Sequence, residues 1–143
     1  MLSISCKYAL RSVVYLMVRS KERVRCSIKE ISAEIEANEH TTAKILQQLV
    51  KAEIIHSAKG PTGGFFMPAS ARPIPLIEVV KVVDGTNFFF ECGLGLKSCS
   101  EEKPCPLHHH YKAARQALYQ QFSTHTVQDL SENLSLGKSF LKR

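Results

Sequence analysis

Apolar positions recur at helical spacing over several stretches of the chain. From about Ser5 to Ser20, Tyr8, Leu10, Val13, Val14, Leu16 and Met17 fall three and four residues apart, the mark of an amphipathic helix. A second helix is expected from Ser27, because Ser27 and Glu30 have the Ser-x-x-Glu spacing of a capping box. Ile28, Ile31 and Ile35 then share one face. After a tight turn, Asn38 is a good N-cap for a third helix. There Ile45, Leu46, Leu49 and Val50 form the apolar side, with His40, Thr41, Lys44, Gln48 and Lys51 opposite.

The pattern then changes period. Ile54 to Ala58 reads as a strand, Lys59 to Gly64 as a sharp reversal with three glycines and a proline, and Phe65 to Met67 as the return strand. Behind Pro73 and Pro75, Leu76, Val79, Val80 and Val83 have helical spacing, and Asp84-Gly85 ends the run. The valines also suit a strand. A cysteine-bearing loop, Cys92 to Cys105, precedes a long helix in which Leu107, Tyr111, Ala114, Leu118 and Phe122 make a narrow stripe close to a coiled-coil seam. Such a stripe packs either on the chain's own core or on a second copy. Its continuity favours self-association. A last short helix begins at Thr126, with Asp129 three residues on.

These elements predict a mainly α fold with a small β-hairpin wing. A winged helix-turn-helix is expected over residues 1–72. A linker helix, cysteine loop and long dimerisation helix should form one compact unit over 73–143.

Composition narrows the function. A chain of 143 residues, 44% hydrophobic and 22% charged, is an ordinary globular domain rather than a disordered one. The net charge of +6 favours a polyanionic partner, nucleic acid or an anionic membrane surface, although a merely basic protein has the same balance. No run approaches the ~20 apolar residues that span a bilayer. The stretch from Tyr8 to Val18 is broken by Arg11 and lacks the n-region and cleavage site of a signal peptide. A cytoplasmic protein with no membrane partner is therefore expected. Five cysteines, an odd number, suit metal ligands, reactive thiols or core residues in a reducing compartment better than structural disulfides.

Helix, capped helix, tight turn, second helix and glycine-rich hairpin is the order of a winged helix-turn-helix. An α-helix fits the major groove of B-DNA, and residues near its N-terminus reach base edges. A helix that only covered a core would show the same amphipathicity. The hairpin behind it tips the reading towards DNA. Its glycines let the backbone approach a phosphate ribbon, and Lys59 supplies charge. The glycines do not form a nucleotide-binding loop, because no Gly-Lys-Ser/Thr follows.

Cys92, Cys99 and Cys105 are separated by six and five residues, and His108 follows the last by three. Three thiolates with one further ligand can hold an iron–sulfur cluster. The spacing is not that of a common zinc finger, but three cysteines and a histidine are also a tetrahedral zinc set. Cys6 and Cys26 are expected to be small buried hydrophobes. Cys105 with His108 as nucleophile and base would make an enzyme, but no orienting acid or pocket pattern accompanies them.

Four segments together resemble the Rrf-two family of winged-helix regulators, which includes the IscR, NsrR and CymR types. They are Ser5 to Leu10, Ile45-Leu46-Gln47-Gln48-Leu49, Lys59-Gly60-Pro61-Thr62-Gly63-Gly64-Phe65 and the three spaced cysteines. The resemblance runs from Met1 to about Glu132. It implies a homodimer paired through the long helix, double-stranded operator DNA as partner, and a repressor rather than an enzyme. It also implies a 2Fe–2S or 4Fe–4S cluster responding to redox state, iron–sulfur status or nitric oxide. His40, Thr41 and Lys44 match the family's major-groove contacts; Lys59, Gly60 and Pro61 match its wing contacts. Cys92, Cys99 and Cys105 match the cluster ligands, and His108 matches the fourth. The chain departs from the family in three places. Lys7 stands where the nitric-oxide-sensing branch has an acidic ligand. The first cysteine gap is six rather than five. Ala43 replaces an acidic residue, so base preference does not carry over.

Overall fold

A computed structural model describes all 143 residues. Six α-helices and one two-stranded antiparallel sheet follow in the expected order: α1 Ile4–Ser20, α2 Ile28–Ile35, α3 Glu39–Lys51, β1 His56–Ala58, β2 Gly64–Phe66, α4 Leu76–Val83, α5 His108–Thr124 and α6 Val127–Ser135. A 3-10 turn, Asn87–Phe89, precedes the cysteine loop. The mainly helical, hairpin-bearing fold class is as the hydrophobic pattern indicated.

Side-chain caps set the helix starts. Ser3 accepts from the Cys6 amide, Ser27 from that of Glu30, and Asn38 from that of Thr41 at 2.7 Å. Each satisfies one of the orphan amides of a first turn. At Ser27 only half of the capping box forms. The Glu30 carboxylate instead accepts from the Tyr15 hydroxyl at 3.0 Å and lies 3.5 Å from Arg19, tying α2 to α1. At Thr126 and Asp129 both halves of the box are present. The turn between α2 and α3 closes through Glu36, whose φ of 54° lies in the left-handed region that costs a side-chain-bearing residue about 1–2 kcal/mol.

The sheet is shorter than the pattern suggested. Ile54 and Ile55 leave the ladder because the Ile54 amide bonds back to the Leu49 carbonyl, wrapping both side chains into the core. Met67 is likewise buried. A third segment compensates: Cys26 and Phe65 exchange two backbone hydrogen bonds of 2.8 Å. The hairpin is thereby fastened to the chain just ahead of α2.

One core joins the two halves of the chain. Val13, Leu16, Ile31, Ile35, Leu46, Leu49, Ile55, Val79 and Val127 are all fully buried in a single cluster. The C-terminal α6 packs along α1, and the segment at Ile74 to Leu76 pairs with His125 to Val127. Cys6 and Cys26 are fully buried, as expected. α5 stands apart. Of its residues only His108 is buried. Leu118 and Phe122 pack inward on the aromatic cluster around Phe89, while Leu107 and Tyr111 are each 37% exposed and Ala114 is exposed. The apolar stripe is thus divided: its last two members serve the chain's own core.

Candidate DNA-binding surface and cysteine site

α3 buries Thr42, Ile45, Leu46 and Leu49 and turns its other side to solvent. His40, Lys44, Gln47, Gln48 and Lys51 are exposed; Thr41 is half-buried. His40 and Thr41 lie in the first turn, where the amides and the positive end of the helix dipole favour an anion. Lys59, Gly60 and Pro61 are exposed at the tip of the hairpin. The tip is closed by a hydrogen bond of 2.9 Å from the Gly63 amide to the Gly60 carbonyl, and Gly60 has a φ of +100° that favours glycine. All six residues that match the family's DNA contacts therefore fall on α3 or on the wing tip, five of them exposed and Thr41 half-buried.

The four candidate ligands come together as two pairs. The sulfurs of Cys92 and Cys105 lie 3.7 Å apart, and the Cys99 sulfur is 3.3 Å from Nδ1 of His108. They do not close into one set of three or more donors. Cys92 is buried, and amides of Leu94 and Leu96 donating to its sulfur hold the thiol below its ordinary pKa. A sulfur so disposed is prepared to ligate as thiolate. Nδ1 of His108 faces the Cys99 sulfur. Its buried Nε2 lies 3.4 Å from a Glu101 oxygen without a hydrogen-bonding geometry. The donor chemistry fits an iron–sulfur cluster or zinc.

Three further side chains at this site escaped the sequence reading. Arg115 donates to the Cys99 sulfur at 3.0 Å and to the Glu91 carbonyl. Lys112 is paired with Glu101 and holds that carboxylate below its usual range, with His108 adding to the effect. His108, Lys112 and Arg115 lie four and three residues apart, so one face of α5 grips the loop. That spacing was legible, but nothing in the one-dimensional pattern said that the loop folds back onto this face.

A capped helix beside a glycine-rich, cationic hairpin is the layout of a winged helix-turn-helix. The Rrf2 family description, "Iron-dependent Transcriptional regulator", matches residues 2–133. The chain belongs to the Rrf2 family. Among its relatives, protein aau3 of Rhizobium meliloti is 30% identical over 86% of this chain and 79% of its own length. The HTH-type transcriptional regulator NsrR of Oceanobacillus iheyensis is 24% identical over 88% and 86%. In solved structures the same fold occurs in CymR, the global cysteine regulator of B. subtilis, with a TM-score of 0.73 at 19% identity over 92% of this chain and 96% of that one. It occurs also in T. potens IscR, with a TM-score of 0.74 at 16% identity over 97% and 91%. No helix of the chain is long and apolar enough to cross a membrane.

Proposed function

We propose that this regulator is a cytoplasmic, homodimeric repressor whose grip on operator DNA is set by an iron–sulfur cluster. Cys92, Cys99 and Cys105 ligate the cluster, with His108 as fourth ligand. His40, Thr41 and Lys44 read the major groove; Lys59, Gly60 and Pro61 hold the neighbouring backbone. Residues 1–72 form the DNA-binding unit, and residues 73–143 the sensing and pairing unit.

The observation that carries this reading is the position of the two donor pairs. They sit where the cysteine loop meets the first turns of α5, a helix of 17 residues in which only His108 is fully buried and Leu118 and Phe122 pack half-buried on the chain's own core. A helix so exposed is stabilised by a partner. A change at the cysteines therefore acts at the root of the pairing helix. A change in what the cysteines ligate would bias the relative placement of two α3 helices, a population shift between DNA-competent and incompetent dimers. The cluster, when bound, supplies redox and nitric-oxide chemistry; the chain supplies ligands and the coupling.

Protein isolated without oxygen should be coloured and contain iron and acid-labile sulfide, and replacing the three cysteines should abolish the colour and the redox dependence of duplex binding. Zinc alone in the same preparation selects the second reading, a zinc-stabilised regulator without sensing, which the donor set of three sulfurs and an imidazole nitrogen also fits. Unchanged duplex affinity of the triple variant in reduced and oxidised samples refutes sensing.

A further inference from the structure

The wing carries a cation outside the site described above. Arg25 lies on the segment that fastens the hairpin: its neighbour Cys26 pairs with Phe65, which sets Arg25 opposite Phe66. Its guanidinium rests 5.5 Å from the centroid of the Phe66 ring and donates to the carbonyl of Thr62, in the turn between β1 and β2, at 3.4 Å. Across the strand the His56 ring is 5.8 Å from Phe66. Arg25, Phe66 and His56 thus form a row of cation, aromatic ring and imidazole across the wing. Beside it, an open groove of about 420 Å³ runs between Arg23, Val24, Arg25 and the irregular segment that leads from Phe66 at the end of β2 to Ser70.

Only a minority of the chain's 19 lysines and arginines have a carboxylate partner. Arg19, Arg72, Lys112 and Lys142 each have a carboxylate within ion-pair distance. Arg25 and Arg23 have none. Most exposed arginines that lack an acid are free to sweep through solvent. Arg25 is held by a ring and a carbonyl while its charge stays uncompensated, so binding an anion there loses little side-chain freedom. Guanidinium edges match phosphate oxygens, and stacking leaves those edges open.

We infer that Arg25, steadied by Phe66, is a DNA-backbone contact of the wing, engaging a phosphate that flanks the one met by Lys59. The inference rests on the operator-DNA reading above. Arg23 lines the same groove and adds to the local positive potential.

The term is sequence-independent, so the full-length chain can be tested on a labelled mixed-sequence duplex of about 30 base pairs, roughly three helical turns. Binding is measured by fluorescence anisotropy over a series of sodium chloride concentrations. Arg25→Ala is expected to weaken binding and to make the plot of log affinity against log salt shallower by roughly 0.9 for each protomer engaged, while Arg25→Lys keeps the wild-type slope. Phe66→Leu keeps the slope but lowers affinity severalfold, because the charge remains and its rest is lost. Thermal melts establish that the variants fold, and Arg25→Gln replaces the alanine variant if that one melts early. Wild-type protein that binds with a salt-dependent affinity, beside an arginine-free variant of identical slope, overturns the proposal alone. Wild-type protein that shows no salt-dependent binding to the duplex overturns the DNA reading and the proposal with it.

Discussion

Replacing Gly64 by alanine tests how the wing is attached. Gly64 has a φ of +144°, and a Cβ built there would lie 2.7 Å from the Cys26 carbonyl oxygen and 3.1 Å from its carbon. Both are backbone atoms, and the oxygen accepts the 2.8 Å hydrogen bond from the Phe65 amide. Relief of the clash therefore requires the segment around Cys26 to part from β2. Two hydrogen bonds are then lost, at about 0.5–1.5 kcal/mol each. The backbone strain of a non-glycine residue adds about 1–2 kcal/mol. The expected destabilisation is about 2–5 kcal/mol, a fall in melting temperature on the order of 10 °C for a chain of this size. Urea and thermal unfolding followed by circular dichroism read it. Gly60→Ala is the control: its φ is +100°, but no atom lies within 4 Å of the added carbon, so only the strain is incurred. A Gly64→Ala protein that melts with the wild type, or a Gly60→Ala protein that loses as much, refutes the argument.

Leu46 is fully buried in the central cluster, so Leu46→Ala should cost about 2–5 kcal/mol in urea unfolding, whereas Gln47→Ala on the exposed side should be near neutral. Burial, reinforced by nearby Asp84, pushes the Cys6 thiol up to about 12. The native chain thus keeps this thiol protonated while the unfolded chain ionises it, and stability should fall as pH rises from about 9 towards 12. Cys6→Ala should flatten that alkaline limb; a limb of unchanged steepness counts against the assignment. In the metal-free protein Cys6 and Cys26 should resist alkylation while Cys99 and Cys105 react, as mass spectrometry of labelled peptides will show. Lys59→Ala should weaken binding to all duplexes alike, and Lys44→Ala should also relax sequence preference, both measured by anisotropy against matched and scrambled operators.

Much of the fold is written in local chemistry. The caps at Ser27, Asn38 and Thr126 and the periods of α1, α3 and α4 are set by neighbours within one or two helical turns, and such rules act along the chain. The reversal at Gly60 to Gly64 is equally local. What the pattern misjudged was settled by distant partners. Glu30 left its cap because Tyr15 and Arg19 compete for the same carboxylate. Ile54 and Ile55 left the strand because the core admitted them.

The sites divide in the same way. Spacing set His40, Thr41 and Lys44 on the polar side of α3, put Lys59 in the turn and grouped the cysteines with His108, while the family resemblance implied the contact roles of those four and of Gly60 and Pro61. Only the tertiary structure paired Cys99 with His108 and Cys92 with Cys105, laid Arg115 against a sulfur, and stacked Arg25 on Phe66. It also split the stripe of α5, sending Leu118 and Phe122 to the chain's own core. A sequence states which side chains one element presents. Which of them meet a group far along the chain depends on how elements pack, because contacts of a few ångströms between distant residues follow from the closing of the whole core and not from any local preference.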